Sequence, residues 1–298
     1  MDLFLTVVVD GLIYASWLFI VALGLTLIFG VLKVLNVAHG SLYAFGAYAA
    51  ASFVGLTTTA GLAPVVSLLS MLVGAAAVAL VVAPIVERGL LRRFYGRNEV
   101  LLVLVTYALF LIFEDVTKLI WGVNPYYVTE PYSLFGDVAF GPLFYVGYDF
   151  ALLALALVCG LGVWFGLNRT VHGKIVLAVI HNAEMSASMG VNVGRVYVLA
   201  FMFGTFLAAL GGAFTAPMIS VQPGISVGVI ILSFAVVIIG GLGSIAGAAV
   251  GAVIVGLARA ASVHLFPAAE LFSIYLVMVA VLIVRPEGLF QRPAARRI

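Results

Sequence analysis

Val227-Gly-Val-Ile-Ile-Leu-Ser-Phe-Ala-Val-Val-Ile-Ile-Gly-Gly-Leu-Gly-Ser-Ile-Ala-Gly-Ala-Ala-Val-Gly251 contains no charged residue and holds two apolar runs joined by a glycine-rich break. In hydrocarbon every backbone amide must find its partner within the protein, which leaves helices or closed barrels. A barrel strand alternates apolar and polar residues; these runs are continuous, so they read as two helices with a break at Gly240–Ser244. After the break, Gly243, Gly247 and Gly251 fall at i, i+4 and i+8 on one helical face. Such a small-residue face lets helix backbones approach closely, which drives packing in lipid. Gly247 and Gly251 are therefore read as helix-packing positions.

The same grammar extends through the chain. Apolar residues make up 65% of the 298 residues, charged residues 9%, and the mean hydropathy is +1.28, far from the composition of water-soluble domains. A spanning helix needs about 20 mostly apolar residues. Segments of that kind run near 4–29, 40–58, 64–86, 99–121, 148–167, 196–219, 227–243, 246–266 and 269–284. The chain is thus predicted to be an all-α polytopic membrane protein, a single domain over 1–298 with about nine crossings, eight to ten being admissible if some are interrupted or re-entrant. The connections differ in charge. Arg88, Arg92, Arg93 and Arg97 share one, Arg169, Lys174 and Arg195 another, and Arg285, Arg292, Arg296 and Arg297 close the chain, whereas 122–149 carries Glu130, Asp137 and Asp149 without Lys or Arg. The positive-inside rule places the three basic connections and the C-terminus in the cytoplasm and the N-terminus outside. Met1-Asp2 begins without a basic region, so the first run reads as a retained span rather than a cleaved signal. No basic run resembles a nucleic-acid footprint. Cys159 is alone in an apolar stretch and reads as a small buried hydrophobe.

A second glycine cluster, Asn36-Val-Ala-His-Gly-Ser-Leu-Tyr-Ala-Phe-Gly46, is followed by Ala47, Ala51 and Gly55. Like the first, it opens on a polar break and continues as a small-residue helix, so residues 1–86 and 227–284 suggest two copies of a three-helix unit. Interrupted helices in repeated units line the sites of many transporters. Asn36, His39, Gly40, Gly243 and Ser244 are accordingly candidates for a translocation path or gate. For His39 a structural histidine with its hydrogen bonds satisfied is the competing reading, and for the glycines tight packing alone.

No phosphate-cradling Gly-x-x-x-x-Gly-Lys-Ser/Thr loop, metal-ligand cluster or nucleophile–base spacing is present in the sequence, which argues against an enzyme. Charges within the spans are confined mainly to Glu114, Asp115, Lys118 and Arg259, a thin set for a proton relay. Glu114 and Lys118 stand at i, i+4 and are expected to pair on one helix face. Arg259 either snorkels to the interface or faces the pathway. In the second case its guanidinium meets a substrate carboxylate, or Glu114 or Asp115 across the bundle.

Residues 168–195 form the long polar connection in this apolar chain. Together with three other stretches it carries a family resemblance. Gly24-Leu-Thr-Leu-Ile-Phe-Gly-Val-Leu-Lys-Val-Leu-Asn-Val-Ala-His-Gly40, the run from Gly173 ending Met-Gly-Val-Asn-Val-Gly-Arg-Val, the turn Gly240-Gly-Leu-Gly-Ser-Ile-Ala-Gly247 and Arg285-Pro-Glu-Gly-Leu-Phe290 resemble the permease subunits of branched-chain amino acid ABC importers. The closer of the two permeases in those importers has an Asn-Phe-Ala-His-Gly hallmark. The resemblance spans about residues 8–291. It implies an inner-membrane assembly of this chain with a second homologous permease, two ATP-binding subunits and an extracytoplasmic solute-binding protein. ATP and Mg would be held by the partner subunits and no cofactor by this chain.

By the same resemblance, residues 168–195 contain a cytoplasmic coupling helix docking an ATPase, with Gly173, Lys174, Ala183, Glu184 and Gly190 as its coupling residues. Glu184 and Gly190 match a Glu-Ala-Ala...Gly signature. Met185 and Ser186 replace its alanines, and Leu177 stands where the family favours a second arginine. The resemblance implies branched-chain or other aliphatic amino acids as substrate, with urea, amides or small organic or aromatic acids as the alternative class. A stand-alone channel or secondary carrier of small polar solutes is the rival reading of a different kind.

Overall fold

A computed structural model describes residues 2–140 and 143–290. Its helices are α1 (Asp2–Leu32), α2 (His39–Thr59), α3 (Pro64–Gly89), α4 (Glu99–Trp121), α5 (Gly147–Arg169), α6 (Val171–His181), α7 (Ala183–Ser188), α8 (Val193–Thr215), α9 (Ile225–Gly240), α10 (Ile245–Leu265) and α11 (Glu270–Val284). Each of the nine apolar segments holds a helix. Among the described residues, seven helices are long and apolar enough to cross a membrane. The two others that fill apolar segments are α2 and α9. The 16 residues of α9 reach only about 24 Å at 1.5 Å per residue, short of a hydrocarbon core about 30 Å thick. A small antiparallel hairpin, β1 (Asp137–Phe140) with β2 (Leu143–Val146), pairs Asp137 with Val146. It sits in the acidic connection and marks one end of the bundle; α6 and α7 mark the other.

The centre belongs to α1 and α8, around which α10, α2, α3, α5 and α9 pack. Glycine makes this possible. A methyl group at Gly46 would stand 2.0 Å from the Ala209 carbonyl oxygen, and one at Gly212 1.9 Å from that of Tyr43, so α2 and α8 touch backbone to backbone. Gly24 and Gly204 do the same for α1 and α8, and Gly11 with Gly256 for α1 and α10. Gly247 and Gly251 press on Gly240 and Val236 of α9, so the glycine stripe of the sequence is a packing face between α9 and α10. The outer faces of α4, α5 and α11 expose Leu119, Leu161, Phe165 and Ile283, suited to lipid.

Five helix starts, on α4, α6, α7, α8 and α10, carry side-chain caps from Asn98, Thr170, Asn182, Asn192 and Ser244. An oxygen there accepts a backbone N–H that the first turn leaves free. All five lie at the α6–α7 end. The two three-helix units enter the fold differently: α1, α2 and α3 have 31, 21 and 26 residues, and α9, α10 and α11 have 16, 21 and 15. The basic Arg292, Arg296 and Arg297 of the sequence reading lie outside the described residues.

Candidate functional site

The α1–α2 break lies deep in the protein. After Leu32, Lys33 adopts a left-handed φ of 56°, and the chain returns alongside α1. Thr106 of α4 holds this return, its hydroxyl accepting the Val37 amide at 3.2 Å and lying 3.2 Å from the Leu35 carbonyl. The ring of His39 contacts the Val21 carbonyl through Nε2 at 3.0 Å. A carbonyl only accepts, so Nε2 carries the proton and Nδ1, which has no partner, is the bare nitrogen. Val21 precedes the end of α1 by eleven residues, about 16 Å of helix. His39 and Asn36 are both fully buried. Neither amide atom of Asn36 has a partner. At Gly40 a methyl group would stand 2.5 Å from the Ser226 carbonyl oxygen, the contact that brings α2 onto α9.

Above this break, toward the hairpin end, two cavities adjoin. The larger, about 530 Å³, is walled by Tyr43, Thr215, Gln222, Ile225 and Leu232, and the other, about 290 Å³, by Asp10, Tyr145, Asp149 and His264; Tyr14, Trp17, Met218 and Arg259 line both. The floor is closed by Tyr43, whose hydroxyl meets that of Thr215 at 2.6 Å while its ring leans on Trp17, centroids 6.1 Å apart. Because α8 stops at Thr215 and α9 starts at Ile225, the turn between them, with Met218 and Gln222, forms one wall.

Arg259 reaches this chamber from α10, 4.1 Å above the Tyr14 ring and 2.5 Å from Glu270 of α11. Its carboxylate partner is therefore Glu270, not Glu114 or Asp115. The reason is architectural: α10 packs on α1, α9 and α11, and α4 on α2. Glu114 takes the Ser226 hydroxyl, and Lys118 pairs with Asp115 at 3.0 Å rather than with Glu114. Opposite Arg259, Asp10 meets His264 at 2.7 Å. Burial and the nearby carboxylates of Asp10 and Asp149 push the Tyr145 phenol up to about 12. Sequence reading singled out Arg259 and missed Asp10 and His264, although an ionisable residue inside an apolar run was the available signal for all three. Tyr14, Trp17 and Tyr43 carried no signal beyond being aromatic.

Gly243 and Ser244 stand elsewhere, at the α6–α7 end. Gly241 and Gly243 take φ of 99° and 82°, and the Ser244 hydroxyl accepts the Gly247 amide at 3.0 Å as the cap of α10. The segment Arg285–Phe290 folds back here. Leu289 and Phe290 donate to the carbonyls of Ile239 and Gly240 at 2.9 and 3.0 Å, supplying partners to the end of α9. These positions join helices and do not line the chamber.

In residues 168–195, α6 and α7 project from the ends of α5 and α8. Gly173 is buried, and a methyl group there would stand 2.0 Å from the Gly166 carbonyl oxygen; Lys174 points outward. Ala183 opens α7 half-buried, and Glu184 is exposed. Ser186 is buried, donating to the Asn182 carbonyl at 2.8 Å, so this departure from the alanine signature is internal. Met185 and Met189, in contrast, are 67% and 81% exposed. Gly190 closes α7 at φ 88°, with Gly190 N–H on Ala187 and Val191 N–H on Ser186, the pairing of a left-handed C-cap. Space around Gly190 is open.

Comparison with known proteins gives a consistent result. The family described as branched-chain amino acid transport system, permease component, matches residues 7–284. The high-affinity branched-chain amino acid transport system permease protein BraD of Pseudomonas aeruginosa is 27% identical over 99% of this chain and 98% of its own. LivH of Escherichia coli, of the same description, is 24% identical with the same coverage. The ribose import permease protein RbsC of Escherichia coli is 28% identical over 80% of this chain and 71% of its own.

Proposed function

The chain belongs to the family of branched-chain amino acid transport system permease components, and we propose that it forms, with a second homologous permease, the membrane path of an ATP-driven importer of branched-chain or other aliphatic amino acids. Two ATP-binding subunits would dock at the α6–α7 end, holding ATP and Mg. A solute-binding protein would deliver substrate at the hairpin end.

The observation that carries this reading is α7. It is too short to span anything, is fixed between α6 and α8 by caps at both ends, and presents Glu184, Met185 and Met189 outward. Unbranched, polarisable methionine suits a surface that must seat in a partner's groove. Gly173 and Lys174 would transmit the motion through α6, which is packed on α5 at Gly166. At the other end, the chamber offers apolar and aromatic walls for an aliphatic side chain, with Arg259 available to exchange Glu270 for a substrate carboxylate. His39, Asn36 and Gly40 lie beneath its floor, where α1, α2 and α9 would shift as a gate opens.

Charge supports the orientation. Lys33, Arg88, Arg92, Arg93, Arg97, Arg169, Lys174, Arg195 and Arg285 gather at the α6–α7 end, and Lys118 and Arg259 at the hairpin end. By the positive-inside rule the former is cytoplasmic, with the C-terminus on that side.

Gly190→Arg tests the docking. The left-handed φ disfavours a side chain by about 1–2 kcal/mol, but the open space leaves room for it, so the variant should insert and assemble. Its expected defect is loss of substrate-stimulated ATP hydrolysis in the complete complex. Full coupled turnover by Gly190→Arg would sink the assignment, and uptake by the chain alone in vesicles would favour a channel or carrier instead.

A further inference from the structure

We infer that Asp149 receives the ammonium group of the transported solute as it enters the chamber, with Asp10 as the second carboxylate beside it; this rests on the reading above that amino acids pass along this cavity. Asp149 sits in the first turn of α5, directly after the hairpin. It is 8% exposed, and its Oδ1 has no hydrogen-bond donor. A buried carboxylate oxygen without a donor is costly, and this one lines the wall of a cavity.

The other charges there are spoken for. With Arg259 paired to Glu270 and His264 to Asp10, the Asp149 carboxyl is left on this wall without a cationic partner. The deficit is one cation with N–H donors, which describes a primary ammonium. Across the shared wall at Tyr14 and Met218 the second cavity is lined by Trp17, Ile225 and Leu232. A solute held at Asp149 by its ammonium can lay an aliphatic side chain there. Helix geometry gives Asp149 a structural duty as well, since its carboxylate reaches back to the Val146 amide at the start of α5, as acidic residues of a first turn do. The two duties predict different behaviour on substitution.

The test uses the transporter assembled with its partner permease and ATP-binding subunits in nanodiscs, without the soluble binding protein. Melting temperature is read with L-leucine, with 3-methylbutylamine, which lacks the carboxylate, and with 4-methylpentanoate, which lacks the ammonium. Leucine and the amine are expected to raise the melting temperature of the wild type, and the acid to leave it unchanged. Asp149→Asn should lose both shifts, and its leucine uptake in the complete system should show a KM about tenfold or more higher, the loss expected for one charge-assisted hydrogen bond. Asp149→Glu should recover part of the response. If Asp149→Asn melts lower yet keeps both ligand shifts and the wild-type KM, the carboxylate serves α5 alone and the inference is overturned. Equal shifts with 4-methylpentanoate in the wild type would also overturn it. Wild type that takes up no amino acid would instead remove the proposed function, and this inference with it.

Discussion

At the scale of single residues, the glycines divide into those the packing requires and those it does not. Gly46 faces the Ala209 backbone, which cannot move out of the way as a flexible side chain could. Gly46→Val should therefore force α2 and α8 apart, costing on the order of 1–3 kcal/mol or more, seen as a lower melting temperature and poor accumulation in the membrane. Gly55 stands on α2 with open space around it, so Gly55→Ala should be neutral or raise stability by a few tenths of a kcal/mol to about 1 kcal/mol, as helix propensity dictates. Equal melting temperatures for the two variants would refute the close approach. Asn36 poses the opposite question, since its fully buried amide has no partner. Leaving buried polar atoms unpaired costs about 1–3 kcal/mol. Asn36→Leu, which keeps the heavy-atom number and branching but carries no polar atoms, should hold or raise the melting temperature while reducing transport. A marked drop in melting temperature would mean that the amide is satisfied and structural.

At the scale of elements, the apolar segments were legible because a spanning helix needs a run that nothing else in a chain needs. Their depth was not legible. That α2 begins beside Val21 depends on the extended return after Lys33 and on Thr106, a contact between residues about seventy apart in sequence. The pairing of Glu114 was misjudged for a related reason: the i, i+4 rule describes an isolated helix surface, whereas the Ser226 hydroxyl arrives from α9. The Arg285–Phe290 motif was visible as a resemblance, but its work emerges only in three dimensions. Gly288, at φ 84°, lies so close to Gly241 that a methyl group would stand 2.5 Å from its Cα. Gly288→Ala should unseat the returning segment 285–290 and expose the last carbonyls of α9, lowering the melting temperature of the complex by several degrees. An unchanged melting temperature would show that α9 ends without this cap.

At the scale of the whole molecule, the amphipathic logic is electrostatic along the bundle rather than across it. Composition showed the class of protein and glycine spacing showed where helices touch, but the chamber joins Asp10, Asp149, Arg259 and Glu270 from α1, α5, α10 and α11, and no spacing rule links residues so distant in sequence. Charge asymmetry, in contrast, survives folding, because each connection keeps its side of the membrane. With basic residues concentrated at the α6–α7 end, the orientation proposed above puts that end in the cytoplasm. Asn124, in the exposed loop after α4, and Ser188, exposed at the end of α7, mark the two ends. Cys159 lies partly buried in α5; replaced by Ala, it leaves a background in which single cysteines can be placed at either site. In intact cells a membrane-impermeant maleimide should label Asn124→Cys and spare Ser188→Cys, and permeabilised cells should label both. Labelling of Ser188→Cys alone in intact cells would invert the protein, move the chamber to the cytoplasmic side and make import from the hairpin end untenable.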